Sequence, residues 1–523
     1  MSLEGVYGPV DHELSQECEV VGELPEAMNG EFARNGPNPR FRPSGGYHWF
    51  DGDGMIHGVR ITADGKAMYT NRYVRTKKLA VEEEDGRAVE MKLGDFCSRL
   101  ALAKIWLHSL KKTLGVIPDL TAELEGTANT SLVYHAGRLM ALGEVGLPYA
   151  LRVMHDGVIE TTGKVTFEGD MKNPFTAHPK KDPATGKLYA FGYQVSKRTP
   201  PYVTFYVLDA DGKLERQARE AHSNTFPVDL PRAIMMHDFH ITENYAIFMD
   251  LPVLFNKERV LFGDMPFVFD KSQGARMGVL PLDATDASGM RWFDLPEVFF
   301  AYHVLNAWEE QVEAKSPAGG ATPSYHSTVK IITCDVFEVD LDFGKVEQDL
   351  SDGERPDPHV TTLNLDTGEA SRAKLLPGPM TEGYDFPQVR HSLLGRKARF
   401  GYLAGCDDKD YPNAVVKVDL QAATPEEIVV GRIDLGDSVG GEALFIPSKP
   451  DDDVLAGMGE EDDGYLATFV SPRDGSNSGK PKLRVWNAKT MNPEPVATVK
   501  LPGRVPLGFH AIFISEADLA KQR

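Results

Sequence analysis

The sequence predicts an all-β protein, and three observations support this fold class. Short alternating or aromatic runs recur from end to end, such as "GRLMALGE" from residue 137, and each follows a turn rich in Gly, Asp, Asn or Lys. A regular alternation of strands and helices, which indicates a parallel α/β sheet, is not evident. The 523 residues exceed what one β-sandwich commonly needs. Sandwich, barrel and propeller remain, and a propeller of about seven four-stranded blades would use the whole chain.

The strand-like runs share a pattern without forming an exact repeat. Besides the run at 137–144, the pattern occurs in "GKLYAFGY" (186–193), "ENYAIFMD" (243–250), "RKARFGYLAG" (396–405) and "DGYLATFVS" (463–471). A turn followed by an aromatic strand, repeated along a chain, is typical of stacked sheets. We therefore expect one domain that spans residues 1–523, with a small helical cap that includes about residues 95–114.

One segment has the pattern of a helix. Residues 95–114, "DFCSRLALAKIWLHSLKKTL", place most of their apolar side chains on one stripe, with Lys104, Lys111 and Lys112 largely off it. Two roles are open for such an amphipathic helix. It either packs as a small cap over the propeller or docks shallowly on a membrane, where a lipophilic substrate leaves the bilayer.

Charge and cysteine content limit the partners and the compartment. The formal net charge is −21, which argues against a nucleic-acid partner and against a broadly cationic membrane face. The four cysteines, Cys18, Cys97, Cys334 and Cys406, form no CxxC pair and have no zinc-like spacing. The first residues lack the apolar or Arg-rich character of a targeting segment. We expect reduced thiols and a cytoplasmic protein.

Four of the 15 histidines lie in apolar or aromatic surroundings. They are His178 in "NPFTAHPK", His237 in "MMHDFHITENY", His303 in "FFAYHVLNAWEE" and His510 in "PLGFHAIFIS". In a closed fold, distant segments that each supply one neutral imidazole can build a divalent-metal site with open positions. A histidine in such a run is also commonly a hydrogen-bonded core residue, so spacing alone leaves both interpretations open.

Six motifs, in order along the chain, resemble the carotenoid cleavage oxygenase family. They are "NGPNPRF" (35–41), "HWFDGDGMIHG" (48–58), "MMHDFHITENY" (235–245), "FFAYHVLNAWEE" (299–310), "GGEALFIP" (440–447) and "PLGFHAIFIS" (506–515). The opening "GVYGPVDHELSQ" and "MMHDFHITEN" are most similar to the plant-type members. The resemblance extends from about residue 6 to about residue 516, which is nearly the whole chain.

The resemblance implies a seven-bladed β-propeller with non-haem Fe(II) on its axis. We expect the helical cap to lie over the iron face. Matching the motifs residue by residue assigns the iron ligands to His178, His237, His303 and His510, and implies no catalytic side chain beyond these ligands. His240 lies three residues after His237, and residues three apart on a strand point to opposite faces. We expect His240 to pack between blades.

The resemblance also implies carboxylates that brace three of these histidines. The matching positions are Glu144 in "LMALGEVGLPY", Glu442 in "GGEALFIP" and Asp385 in "EGYDFPQVR". A carboxylate that accepts the outer N–H of an imidazole fixes its tautomer and orientation. Many relatives carry Glu where this chain has Asp385. Because Asp is shorter by one methylene, we expect Asp385 to reach its histidine less well or through a water molecule.

The implied activity is oxidative cleavage of a carotenoid or apocarotenoid. O2 adds across one double bond of the polyene, which splits into two carbonyl products. Tyr302 and Phe509, each directly before a ligand, and Gly143 are implied to line the substrate tunnel. Residues 251–269 are a further candidate lining for its entrance, beside the helix at 95–114. The position of the cleaved bond depends on tunnel length and on side chains outside the motifs.

Three alternative functions are weighed against this one. Stilbene-cleaving members of the family typically carry Lys directly before the first brace carboxylate, where this chain has Gly143. A retinoid isomerohydrolase is disfavoured by the plant-type motifs. A non-catalytic binding propeller is disfavoured by the four intact histidines.

Overall fold

The computed structural model describes residues 5–42, 47–96, 100–169, 171, 173–195, 200–215, 226–228, 230–313, 325–339, 351–377, 382–407, 409, 411–449, 459–474 and 480–523. Strands dominate these residues and α-helices are few, which confirms the all-β class.

The strands are numbered in chain order. The first half contains β1 (Leu14–Gly22), β2 (Gly30–Pro37), β3 (Gly54–Ile61), β4 (Ala67–Tyr73), β5 (Ser131–His135), β6 (Arg138–Leu142), β7 (Tyr149–Val153), β8 (Ile159–Lys164), β9 (Lys180–Lys181), β10 (Leu188–Tyr193), β11 (Val203–Leu208), β12 (Phe226–Val228), β13 (His240–Ile241), β14 (Tyr245–Asp250), β15 (Val253–Phe255) and β16 (Phe267–Phe269). The second half contains β17 (Arg276–Pro281), β18 (Arg291–Asp294), β19 (Phe300–Glu313), β20 (Tyr325–Val336), β21 (Asp357–Asn364), β22 (Ala370–Lys374), β23 (Gly383–Gln388), β24 (Phe400–Cys406), β25 (Pro412–Asp419), β26 (Val429–Asp434), β27 (Ser438–Val439), β28 (Leu444–Pro447), β29 (Gly464–Pro472), β30 (Lys482–Asn487), β31 (Ala497–Lys500) and β32 (Ala511–Ser515).

Helices are short and lie mostly near one stretch of the chain. The α-helices in the described ranges are α1 (Lys77–Asp85), α2 (Leu93–Phe96), α3 (Ala101–Thr113) and α4 (Glu516–Leu519). The 3-10 turns are Gly5–Tyr7, Glu26–Met28, Trp49–Asp51, Phe167–Gly169, Lys257–Phe262, Lys271–Gln273, Ala287–Gly289, His391–Leu393 and Pro425–Glu427. None of the helices in these ranges is long and apolar enough to cross a bilayer.

Five four-stranded antiparallel sheets follow one another along the chain. They consist of β5–β8, β9–β12, β13–β14–β17–β18, β19–β22 and β23–β26, and a two-stranded ribbon of β15 and β16 is inserted in the third. The recurring turn-plus-aromatic runs correspond to β6, β10, β14, β24 and β29. The first four of these are each the second strand of a four-stranded sheet, so the predicted recurrence reflects a real structural repeat.

The expectation of seven separate blades is not met in the described residues, where five four-stranded sheets are distinct. The remaining strands form one ten-stranded sheet, which contains β27–β32 and β1–β4. Strand β1 causes this fusion. Its first half, Leu14–Cys18, pairs with β4, and its second half, Glu19–Gly22, pairs with β31.

Apolar side chains fill the spaces between neighbouring sheets. Phe205 of β11, for example, meets Phe248 of β14 with ring centroids 5.4 Å apart. The two halves of the ten-stranded sheet also face one another across an apolar cluster, in which Phe32 and Val59 pack with Ala467 and Leu483. Packing between sheet faces therefore continues through the fused sheet.

Three of the four cysteines lie in the described ranges, and all three carry free thiols. Cys334 and Cys406 are buried, while Cys18 is partly exposed. Cys97 lies outside the described residues.

Candidate metal centre and its cavity

The four histidines singled out in the sequence meet at one point, and each lies at the edge of a different sheet. His178 and His237 lie two and three residues before the edge strands β9 and β13, His303 belongs to the edge strand β19, and His510 directly precedes the edge strand β32. One imidazole thus comes from an edge strand, and the other three come from the residues just before the edge strands of three other sheets.

The imidazole nitrogens are close enough to share one ion. Nitrogen atoms of His178, His237 and His303 lie within 4.8 Å of one another, and the Nε2 atoms of His178 and His237 are 3.0 Å apart. The ring centroid of His510 lies 4.7 Å from that of His178 and 4.9 Å from that of His303. The structure brings all four predicted ligands together.

Carboxylates contact the outer nitrogen of three of these rings. Nδ1 of His303 lies 2.7 Å from Oδ1 of Asp385, and Nδ1 of His510 lies 3.0 Å from Oε1 of Glu442. Nδ1 of His237 contacts the carboxylate of Glu144. With Nδ1 protonated and directed at a carboxylate, each ring presents the lone pair of Nε2 to the cluster.

Asp385 contacts His303 directly, so the expected loss of reach does not occur. The backbone is irregular beside this contact. The pairing of β23 with β24 is irregular between Asp385 and Gln388, and Phe386 has a φ of 49°. A bulky residue with positive φ is uncommon, and such strained backbone clusters at functional sites. The Phe386 ring packs 5.3 Å from the His303 ring.

The brace carboxylates have further donors of their own. Glu442 accepts hydrogen bonds from Nε2 of Gln388 and from the backbone N–H of Ala511, both at 2.7 Å. The Tyr193 hydroxyl donates to Glu144. These donors hold the carboxylates in orientation, and the carboxylates in turn hold the imidazoles.

Burial and neighbouring charge set the protonation of the cluster. Burial, followed by the proximity of His237 and His510, holds the pKa of His178 well below its usual range. Burial also lowers the pKa of His303, although the Asp385 carboxylate opposes this effect. Burial lowers the pKa of His237 too, but the charge and hydrogen bond of Glu144 outweigh it and raise that pKa overall. His178 and His303 are therefore neutral at neutral pH, as metal ligation requires.

The donor set fits a divalent transition-metal ion. Nε2 of His303 is buried and accepts no hydrogen bond from any residue that the structure describes. A buried polar atom without a partner is costly, and a cation at the centre of the cluster would use this lone pair. Imidazole nitrogens suit iron, zinc, copper and nickel.

His240 stays outside the cluster, where the sequence analysis placed it. Its side chain is buried, and its Nδ1 lies 2.8 Å from the carbonyl oxygen of Ile241. Burial and the charge of Lys180 lower its pKa to about 3, so His240 is a neutral core residue.

A cavity of about 510 Å³ opens onto the cluster. His237, His303, His510 and two brace residues, Glu144 and Asp385, line it. Both predicted aromatic wall residues line it as well. Tyr302 packs 5.4 Å from the His237 ring, and Phe509 directly precedes His510.

Gly143 is not among the residues that line this cavity. A Cβ atom at Gly143 would lie 3.2 Å from the backbone nitrogen of Ala128, which is tighter than most real contacts. The neighbouring residues Glu144 and Val145 line the cavity instead.

Aromatic residues that the sequence analysis did not assign complete the wall. Trp49 and Phe50 pack against Phe509 with ring centroids 4.5 and 5.7 Å apart, and Phe386 also lines the cavity. Trp49 and Phe50 belong to the motif "HWFDGDGMIHG", to which the sequence analysis assigns no role in the site. The two adjacent aromatic residues in this motif are the sequence signal that could have assigned it to the cavity wall.

The helix expected over 95–114 is observed as α3, from Ala101 to Thr113, after α2 ends at Phe96. Residues 97–99 lie outside the described ranges. The cavity wall includes Leu93 and Phe96 of α2. It also includes Phe267 from the predicted entrance segment.

Helix α3 is oriented with its polar side toward the protein. Nζ of Lys104 lies 2.7 Å from Asp95, and Glu90 accepts from both His108 and Lys112. The opposite side is apolar and exposed. We define the outer apolar face as Leu102, Trp106, Leu107, Leu110 and Leu114 of this helix and its end, with Leu261 and Phe262 of the contacting turn.

Comparison with known proteins gives consistent matches over the whole chain. Residues 7–515 match the family model described as retinal pigment epithelial membrane protein. Carotenoid 9,10(9',10')-cleavage dioxygenase 1 of Phaseolus vulgaris is 42% identical, with 99% of this chain and 90% of that protein covered. The 9-cis-epoxycarotenoid dioxygenase NCED1 of Oryza sativa is 36% identical over 99% of this chain and 76% of that protein.

Solved structures agree with the fold. The lignostilbene dioxygenase of Pseudomonas brassicacearum superposes with a TM-score of 0.76 at 26% identity, with 98% of each chain covered. A variant of the apocarotenoid oxygenase of Synechocystis superposes with a TM-score of 0.75 at 23% identity over 98% of each chain.

Proposed function

Because the chain belongs to the family of retinal pigment epithelial membrane protein and the carotenoid cleavage oxygenases, we propose that it is a non-haem Fe(II) dioxygenase of carotenoids or apocarotenoids. It uses O2 to split one double bond of the polyene into two carbonyl products. The convergence of four imidazoles, three of which line a cavity that also has aromatic side chains beside them, carries this proposal.

We assign the metal ligands to His178, His237, His303 and His510. Fe(II) bound there would supply the activation of O2, which amino-acid side chains do not provide. Glu144, Asp385 and Glu442 keep the outer protons on Nδ1 and hold the rings in place. No further side chain is required as an acid or a base.

The cavity wall positions the polyene. Tyr302, Phe509, Trp49, Phe50 and Phe386 provide flat apolar surfaces beside the histidines and exclude water from the reacting bond. Aromatic faces also stabilise cationic character that develops along a polyene. The wall thus fixes which double bond lies at the cluster.

The names of four relatives support a proposal for the position of the cleaved bond. Four relatives at 41–42% identity carry the name carotenoid 9,10(9',10')-cleavage dioxygenase. We propose the same two bonds for this protein, one near each end of a symmetric carotenoid.

We propose seven blades in a single domain over 1–523, with the ten-stranded sheet counted as two. Its halves, β28–β31 and β32–β2–β3–β4, pack across their own apolar cluster as neighbouring sheets do elsewhere in the chain. Apolar clusters at the other sheet boundaries support a closed ring.

We propose that the outer apolar face docks on a membrane surface beside the cavity mouth. Docking would let a lipophilic polyene pass from the bilayer into the cavity without crossing water. The ion pairs of Lys104 and Lys112 with the protein body support this role, because they hold the apolar side outward. The protein is then cytoplasmic and peripheral to a membrane.

Product analysis tests the proposed activity. The protein would be loaded with Fe(II) without oxygen, then exposed to O2 with β-carotene, an apocarotenal or resveratrol. We expect a ring-bearing ketone and a linear aldehyde from β-carotene, identified by mass spectrometry, and little turnover of resveratrol. Efficient cleavage of resveratrol with no carotenoid product would overturn the proposal in favour of a stilbene oxygenase.

A further inference from the structure

Lys92 is a buried lysine on the cavity wall, separated from the histidines by aromatic residues. The wall leads from His510 through Phe509 to Trp49, whose ring lies 4.5 Å from the Phe509 ring. In the same 3-10 turn as Trp49, Asp51 accepts hydrogen bonds from the backbone N–H groups of Leu93 and Gly94. Lys92, directly before Leu93, lines the same cavity.

The ammonium group of Lys92 has no hydrogen-bond partner among the described residues, although the side chain is only 3% exposed. Lys78, which lines the same cavity, differs in this respect. Its Nζ bonds to Asp53 at 2.8 Å and to Glu82 at 2.9 Å. Leaving a buried charged donor unsatisfied costs free energy, which makes the Lys92 ammonium a candidate to bind a polar group of a ligand in the cavity.

An acceptor without a hydrogen bond lies on the same wall. Oε1 of Glu90 is buried and has no partner among the described residues, whereas its Oε2 accepts from His108 and Lys112. Glu90 and Lys92 both line the cavity. A hydroxyl group can accept from an ammonium and donate to a carboxylate, whereas a hydrocarbon end can do neither.

We propose that Lys92, with Glu90, forms a polar subsite that binds a hydroxyl group at the end of the polyene substrate. Asp51, Glu90 and Glu125 line the same cavity, and this concentration of acidic groups favours a neutral hydroxyl over a carboxylate. The inference rests on the proposed function. It places the hydroxylated end beyond the aromatic wall while the reacting bond lies at the histidines.

The test compares two substrates that differ only at their ends. Zeaxanthin is β-carotene with a hydroxyl on each ring, and kcat/KM would be measured for both in detergent. In Lys92→Met, the kcat/KM for zeaxanthin divided by that for β-carotene should fall by about 10–100-fold. This is the effect of losing a buried hydrogen bond to a charged group. Lys92→Gln should also lower it, because an amide cannot supply the charged bond.

Binding provides a second readout. Quenching of tryptophan fluorescence in the metal-free protein should show the same loss of preference for zeaxanthin. Lys417→Met is the matched control and should leave the ratio unchanged, because Lys417 is as buried as Lys92, at 3% exposed, but lies outside the residues that line the cavity and already bonds to Asp462.

The outcomes separate this inference from the proposed function. If Lys92→Met and Lys92→Gln leave the ratio of the two kcat/KM values constant, or lower kcat/KM equally for both substrates, the polar subsite is wrong. The proposed function is not affected by that result. Failure of the unmodified, iron-loaded protein to cleave either carotenoid would overturn the proposed function.

Discussion

Imidazoles can share one cation only if each presents a lone pair toward it. In this protein, carboxylates occupy Nδ1 of His237, His303 and His510, which directs the Nε2 atoms inward. Burial keeps the pKa of His178 low, so this ring can bind a metal without a carboxylate to orient it. The carboxylates thus set the orientation of three of the four rings before any metal binds.

Replacing His237 with alanine should remove most of the bound iron and the activity, because one of four ligands is lost. Metal content by mass spectrometry and turnover of β-carotene would measure both effects. His240→Ala is the matched control, since His240 lies three residues away, is equally buried and bonds to the backbone. Full iron content and full turnover in His237→Ala would show that the ligand assignment is wrong.

The braces should matter about equally. Glu442→Gln should weaken iron binding or turnover by about 10–100-fold, the usual effect of losing such a partner. Because Asp385 reaches His303 directly at 2.7 Å, Asp385→Asn should cause a comparable loss.

The control for the braces is Glu338→Gln, a cavity carboxylate that accepts from Ser351. Iron affinity and kcat would be measured for all three variants. A much smaller loss in Asp385→Asn than in Glu442→Gln would contradict the direct role of Asp385.

At the scale of the element, α3 reverses the usual arrangement of an amphipathic helix. A surface helix normally buries its apolar stripe, but here the lysines bond inward and the outer apolar face is exposed. Contiguous exposed apolar surface of this kind marks a site of interaction.

Leu107→Glu should reduce turnover of liposome-borne carotenoid more than turnover of detergent-dispersed carotenoid, because the carboxylate would have to leave water on docking. Val430→Glu on β26 is the matched control, since Leu107 is 47% exposed and Val430 48%. The readouts are the two rates and the fraction of protein that sediments with liposomes. Equal liposome rates for the two variants would remove α3 from the docking surface and leave the cleavage activity unaffected.

At the scale of the whole molecule, the four histidines lie in, or just before, the edge strands of four different sheets. A cation bound to all four would connect these sheets at one point. Metal binding should therefore depend on the folded arrangement and should stabilise it.

Fe(II) should raise the melting temperature of the protein. Free metal at about 100 times its dissociation constant would contribute about 2.7 kcal/mol to the free energy of unfolding. Anaerobic calorimetry with and without Fe(II) would measure the shift, and His237→Ala should show a much smaller one. An unchanged melting temperature in the metal-bound wild-type protein would contradict the proposed link between the sheets.

The sequence by itself determined the strands and the candidate ligands. Alternation and turn residues act over a few neighbours, so β6, β10, β14, β24 and β29 were predictable from local pattern. The candidate ligand histidines came from the resemblance of their motifs to those of the carotenoid cleavage oxygenases.

Only the tertiary structure decided how distant segments meet. His303 and Asp385 are 82 positions apart, and their direct contact depends on the irregular backbone after Asp385. Strand β1 pairs with both β4 and β31, which joins two groups of strands into one sheet. The local sequence pattern cannot distinguish this joined sheet from two separate sheets. The outward direction of the apolar side of α3 depends on the carboxylates that its lysines contact. The unsatisfied ammonium of Lys92 depends in the same way on which residues surround it in the folded protein.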